Sequence, residues 1–210
     1  MATFSANPEV DCWVRGQSSV SSADAVAANG SLLQDNRGNT AYVSAGGNYY
    51  CARTYYRFDT TAISTDAVVN TAVLYVTLSG ARGSTADAME VHKLFSSSQN
   101  SGVAHVDFYQ SITTTASLST TDVGNTTGRK TMSIDGDLLT YLNSQLAAGS
   151  KPAFILRNKG DYDVATEGNA SGVNTRGFDG TSLGTAPLLK FTYTIVASTV
   201  DNAVFFGTNF

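Results

Sequence analysis

Residues 68–79 read VVNTAVLYVTLS, and this run constrains the chain more than any other. It sets Leu74, Val76 and Leu78 on one face and Val73, Tyr75 and Thr77 on the other. A period of two is the signature of a strand with one apolar side, and a helix cannot use it. The same alternation recurs in shorter form at 11–16 and 188–195; 41–45, the aromatic-rich 49–59 and 88–95 read as further strands, and 130–134 leads into a helical segment. Residues 153–158, AFILRN, are almost continuously apolar and are expected to form a central strand. Residues 41–45 and 49–59 flank Gly46, Gly47 and Asn48, which predicts a hairpin.

One segment breaks the period. Ile134, Leu138, Leu142 and Leu146 recur every four residues, joined by Leu139 and Tyr141, with Asp135 placed as an N-cap and Gly149 as the stop. This predicts one short helix over 135–148. The polar stretch 17–40 reads as a long loop or a pair of weak strands, and the Thr-rich stretch 103–127 as two strands. The Gly-, Asn- and Asp-loaded stretch 159–186 reads as a loop. Many short strands, turn-rich links and one helix argue an all-β sandwich with non-local pairing, formed as a single domain over 1–195. The remainder, 196–210, is a tail.

The order of these segments resembles the DNRLRE family. The residues that carry the resemblance are Tyr55, Tyr56, Arg57, Phe58 and Asp59; the strand Ala72, Val73, Leu74, Tyr75 and Val76; and the strand-then-helix from Met132 and Ile134 through Asp135 to Leu139. Phe154 to Asn158 and Ala186, Pro187, Leu188 and Leu189 complete it, in order over roughly 10–195. The resemblance implies a jelly-roll module related to carbohydrate-binding modules. Where that family has its name-giving run, this chain has Gly172, Val173, Asn174, Thr175, Arg176, Gly177, Phe178, Asp179 and Gly180, so no ligand role of that run carries over.

Composition narrows the function classes. Charged residues are 14% of the chain, against about 25% in an average soluble domain, so Ser, Thr, Asn and Gly must cover much of the surface. Thirteen Lys and Arg are scattered and the net charge is −4, which leaves no electrostatic footprint for nucleic acid or an anionic membrane. No apolar run approaches the roughly 20 residues of a membrane helix. The N-terminal residues lack a basic region followed by an apolar one, so the expectation is release without a signal peptide, as from a virion by lysis, or prior removal of one.

Candidate chemistry is sparse. His92 and His105 stand outside any nucleophile or metal motif, and there is no GxSxG elbow, so the chain is read as non-enzymatic. Cys12 and Cys51 are either one disulfide across neighbouring strands or two buried apolar side chains. Asp161, Asp163, Glu167 and Asp179 could offer oxygen ligands to Ca²⁺, but a solvated acidic loop accounts for them better, and no cofactor is expected. Asp135 and Asp137 fit capping and the helix dipole better than acid–base work.

Aromatic side chains supply the remaining candidates. Tyr49, Tyr50, Tyr55 and Tyr56, with Arg57 and Asp59, make a candidate ligand surface together with Trp13 and Tyr42, although alternation must turn about half of such residues, Trp13 among them, to the core. Arg57 and Asp59 share a face, where a structural ion pair accounts for them better than a grip on a ligand hydroxyl. The tail is too apolar for a solvated terminus, and Val204, Phe205, Phe206 and Phe210 are its expected intersubunit contacts.

The leading expectation is a capsid-decoration (cement) or tail-associated protein of a bacteriophage virion. Its partners would be other virion subunits in a closed homo-oligomer such as a trimer. The alternatives are a secreted carbohydrate-binding module whose partner is a polysaccharide, and an adhesin domain using the 159–186 loop.

Overall fold

The computed structural model describes residues 1–27, 31–35, 37–82, 88–93, 119–122, 126–158, 173–180 and 185–196. Its strands are β1 (Ala2–Ala6), β2 (Pro8–Ser18), β3 (Ser31–Asp35), β4 (Arg37–Ala45), β5 (Asn48–Phe58) and β6 (Ala67–Arg82). They continue with β7 (Ala88–Lys93), β8 (Ser119–Asp122), β9 (Gly128–Ile134), β10 (Ala153–Asn158), β11 (Val173–Asp179) and β12 (Leu188–Ile195). Two helices accompany them, α1 (Ser22–Ala27) and α2 (Gly136–Ala147).

All the pairings are antiparallel and most join strands distant in sequence. One sheet runs β1-β12-β6-β9 and the other β3-β2-β5-β10-β7-β8. Two long strands tie them together by changing neighbours along their length. β5 pairs with β2 on one edge; its other edge takes β4 over Asn48–Ala52 and β10 over Thr54–Arg57. β6 takes β12 up to Tyr75 and then β11 from Leu78, with β9 on the opposite edge. Because β11 also pairs with β4, the sheets are joined at that end. The expected all-β sandwich is therefore present.

Alternation dictates what lies between the sheets. Leu74, Val76 and Leu78 of β6 meet Tyr56 and Phe58 of β5, Phe154 and Leu156 of β10, and Leu189 and Phe191 of β12. All are buried, and each large apolar side chain so covered contributes about 2–3 kcal/mol. Rings stack through this layer, Phe58 on Phe154 at 6.1 Å and Tyr141 edge-on to Phe154 at 5.9 Å. α2 adds its stripe of Leu138, Tyr141, Leu142 and Leu146 to the same core.

β6 keeps its inward face only by means of a bulge. Thr192 faces Thr71, but Tyr193 faces Val69, so Asn70 is the extra residue. Ala67, Val69, Ala72 and Leu74 are thus all buried while Asn70 and Thr71 are both exposed. Asn143 of α2 secures the bulge: its Oδ1 accepts from the Val69 N–H at 2.7 Å, and its Nδ2 donates to the Val69 carbonyl at 3.4 Å.

The outer face of β5 is covered as well. Cys12, Cys51, Tyr55, Ala153 and Ile155 form a second cluster with Ala25 of α1. This explains why β5, unlike a one-sided strand, is buried on both faces from Cys51 to Tyr56.

The predicted helix over 135–148 is α2, and its ends are as read. Gly149 sits at φ +62 with its N–H on the Leu146 carbonyl at 2.9 Å, and Ser150 N–H reaches the Gln145 carbonyl at 2.8 Å, the pairing of a Schellman stop. Asp135 holds the N-cap position with extended backbone, but its side chain makes no capping bond.

Two expectations are corrected, and two points the sequence left open are decided. The 17–40 stretch contains a second helix, α1, begun by Ser21, whose hydroxyl accepts from the Asp24 N–H at 3.1 Å. The same stretch supplies β3 and the start of β4. β11 lies inside the expected 159–186 loop, because its Gly and Asn residues hide a strand completed by two neighbours from far away in sequence. Residues 2–6 form a strand on β12. Of the two readings of Cys12 and Cys51, burial without a disulfide is the one found. In register Cys12 faces Tyr55 and Cys51 faces Gly16, so four residues, about 13 Å of strand, separate them, beyond the roughly 7 Å a disulfide spans.

Candidate binding surfaces

β5 carries the tyrosine-rich run, and its two faces sort those residues. Tyr55 points outward from the sandwich into the cluster under α1, and Tyr56 points inward between the sheets; both are buried, at 1% and 0% exposure. Burial pushes both phenols well above their ordinary pKa, with Asp11 and Asp179 adding to the rise at Tyr56. Neither can stack on a ligand at the surface, so Tyr55 and Tyr56 leave the candidate set.

Tyr49 and Tyr50 are half-buried. Tyr50 lies beneath the guanidinium of Arg15, 4.9 Å from its ring centroid, and packs with Trp13 against Ala52. Trp13 is half-buried rather than sealed in the core. Register explains the grouping: Arg15 faces Ala52 and Trp13 faces Thr54, so Arg15, Trp13 and Tyr50 share a face of β2 and β5. The result is an aromatic and cationic platform that can stack on a flat ring and donate hydrogen bonds beside it. Arg15 escaped the sequence reading because its partnership depends on the β2–β5 register. The backbone of Tyr42 is paired with Cys51.

Arg57 and Asp59 join a charged network. Arg57 Nε meets Glu9 Oε1 of β2 at 2.6 Å, and Lys151 Nζ meets Glu9 Oε2 at 2.6 Å and Asp59 Oδ2 at 3.5 Å. Asp59 also accepts from the Thr61 hydroxyl at 2.6 Å and the Thr61 N–H at 3.0 Å. Those Thr61 bonds, then Lys151, hold the Asp59 carboxyl below its ordinary pKa, while Glu9 raises that of Lys151. The ion-pair reading of Arg57 is the one realised. It ties β2 and β5 to the residue ahead of β10, and such part-exposed pairs contribute at most about 1 kcal/mol each.

A third surface was not anticipated in the strands themselves. Among the described residues the exposed large hydrophobic side chains are Met1, Val20, Val68, Ile195 and Val196. Four of these five lie at one end of the β1, β12 and β6 strands, a corner whose two sides they share: Ala2 faces Tyr193, Val68 faces Thr194 on the outer side, Ile195 faces buried Ala67 on the inner side, and Val196 donates its N–H to the Asp66 carbonyl at 3.1 Å. Val196 is the last described residue, and the apolar tail follows it in sequence. Val204, Phe205, Phe206 and Phe210 lie outside the described residues, as do Asp161, Asp163, Glu167 and His105. Asp179 is described, and its carboxylate accepts from the Thr185 hydroxyl. His92 sits on β7 with its backbone opposite Ile155. Among the described residues no group of three or more His, Cys, Asp or Glu is placed to hold a metal ion. No helix there is long and apolar enough to cross a membrane.

No protein-family model matches this chain, and no curated protein does. The functional reading therefore rests on these surfaces.

Proposed function

We propose that this chain is a non-catalytic structural protein of a bacteriophage virion, a capsid-decoration or tail-associated subunit that works through contacts with other subunits. The observation that carries this reading is the apolar corner of Met1, Val68, Ile195 and Val196 at the root of an apolar tail. Exposed apolar side chains at one end of the sheet, in a chain whose last six residues include three Phe, favour burial against protein, where aromatic side chains contribute most. The Ser-, Thr- and Asn-rich remainder suits an extracellular particle, and the segment order resembling the DNRLRE family supplies a sandwich used for binding.

Light scattering on the full chain, on a chain ending at Val196 and on a Val68→Ser/Ile195→Ser variant tests the proposal. The expected result is a discrete oligomer for the full chain that dissociates in the other two. A full chain that stays monomeric at high concentration overturns it.

The Arg15, Trp13 and Tyr50 platform favours a second reading, a carbohydrate-binding module. On that reading the full chain is a monomer that binds a polysaccharide, and Trp13→Ala or Tyr50→Ala weakens binding by about tenfold, the ~1.5 kcal/mol scale of aromatic contacts. Silence across a panel of neutral and acidic glycans removes it.

A further inference from the structure

The inward face of β5 holds two hydroxyls without a hydrogen-bond partner among the described residues. Thr54 and Tyr56 are each 0% exposed, and neither Thr54 Oγ1 nor Tyr56 Oη has a hydrogen-bond partner among the described residues. Two other buried hydroxyls have partners: Tyr141 Oη bonds both backbone groups of Ala153, and Thr60 Oγ1 donates to the Ser150 carbonyl at 3.3 Å. A hydroxyl sealed dry lowers the folding equilibrium constant by roughly tenfold. Two of them at adjacent inward positions of one central strand call for a common explanation.

Their surroundings are polar on one side. Across the strand pair Tyr56 faces Asp11, a carboxylate only 4% exposed, and Thr54 faces Trp13. Asp11 and Asp179 are also the acidic side chains that act on the Tyr56 hydroxyl. On the β10 side stand Phe154 and Leu156, which offer no polar side-chain atom. The hydroxyls therefore lie in a seam whose β2 flank offers the Asp11 carboxylate as an acceptor beside the Trp13 ring, with an apolar wall opposite. Ala52, the smallest side chain of this face, lies between Thr54 and half-buried Tyr50, which marks the direction toward solvent. A buried water needs two to four polar partners, and a carboxylate has about four lone-pair sites to share.

We propose that the interior of the sandwich binds ordered water along this seam, hydrating Thr54 Oγ1 and Tyr56 Oη and linking them by hydrogen bonds to the Asp11 carboxylate. The waters are part of the fold and divide the apolar core around Leu74 and Phe58 from the Trp13, Tyr50 and Ala52 group.

Two isosteric substitutions and one direct measurement test this. Tyr56→Phe and Thr54→Val keep the shape and delete only the hydroxyl. If the seam is hydrated, each strips a partner from a bound water and lowers the folding equilibrium constant about fivefold or more. If the hydroxyls are dry, each deletion relieves an orphaned group and raises that constant. Magnetisation transfer from long-lived water to the protons of Thr54 and Tyr56, recorded by NMR on the unsubstituted chain, decides the case even where a variant fails to fold. Transfer supports the proposal, and its absence overturns it whatever the variants do.

Discussion

The hydroxyl of Tyr141 takes the place of a strand neighbour for Ala153, accepting its N–H at 3.1 Å and donating to its carbonyl at 3.1 Å. Ala153 opens β10 at 0% exposure, one residue before the β7 pairing begins at Phe154 opposite Lys93. The helix thereby finishes a sheet edge that β7 does not reach. Tyr141→Phe leaves both backbone groups of Ala153 without that partner and is expected to destabilise the chain by about 1–3 kcal/mol. Urea denaturation of the two proteins at equal m-value measures it, and a loss under a few tenths of a kcal/mol contradicts the assignment.

Asn143 plays the corresponding part at the β6 bulge. Its amide serves both backbone groups of Val69, which is 3% exposed, and also the Leu139 carbonyl at 3.1 Å. Asn143→Leu keeps the volume but withdraws these bonds, at an expected cost of about 1–3 kcal/mol. Hydrogen exchange should show the Val69 amide losing protection before its neighbours in β6 and β12.

Gly149 ends α2 at φ +62, and a Cβ there would meet only Thr65 Cγ2 at 3.8 Å, an ordinary contact. The cost of Gly149→Ala is therefore conformational alone, about 1–2 kcal/mol. Thermal unfolding reads it directly. A neutral result means that the Schellman stop is not held in solution.

The charged network predicts the pH dependence of a Lys151→Met difference. Lys151 has a folded pKa above its ordinary 10.5, so its contribution is complete below that value and disappears as pH rises through the folded one. Asp59 has a folded pKa below its ordinary 3.8, so its contribution is complete above that value and disappears as pH falls through the folded one. The stability gap between parent and Lys151→Met is expected to be level between about pH 5 and 9 and to close at both extremes. A gap that persists at pH 12 shows that Lys151 acts through packing instead.

Local pattern determined a good deal of this protein. Leu74, Val76 and Leu78 alternate inward, the leucines of α2 form one stripe, and Gly149 stops the helix, because each of these depends on side-chain periodicity or backbone freedom within a few residues. What the sequence left open depends on register between segments far apart. β11 is a strand because β4 and β6 complete it, although its own residues suggest a loop. Tyr55 and Tyr56 look like equal surface candidates until α1 covers one face of β5 and β6, β12 and α2 cover the other. Cys12 and Cys51 share a face, yet an offset of four residues keeps them apart. Arg15 reaches Tyr50, and the exposed corner collects Met1, Val68, Ile195 and Val196, only when strands from opposite ends of the chain align. A period of two says which side of a strand is apolar; the identity of what covers that side is decided by non-local hydrogen bonding, and only the folded sandwich supplies it.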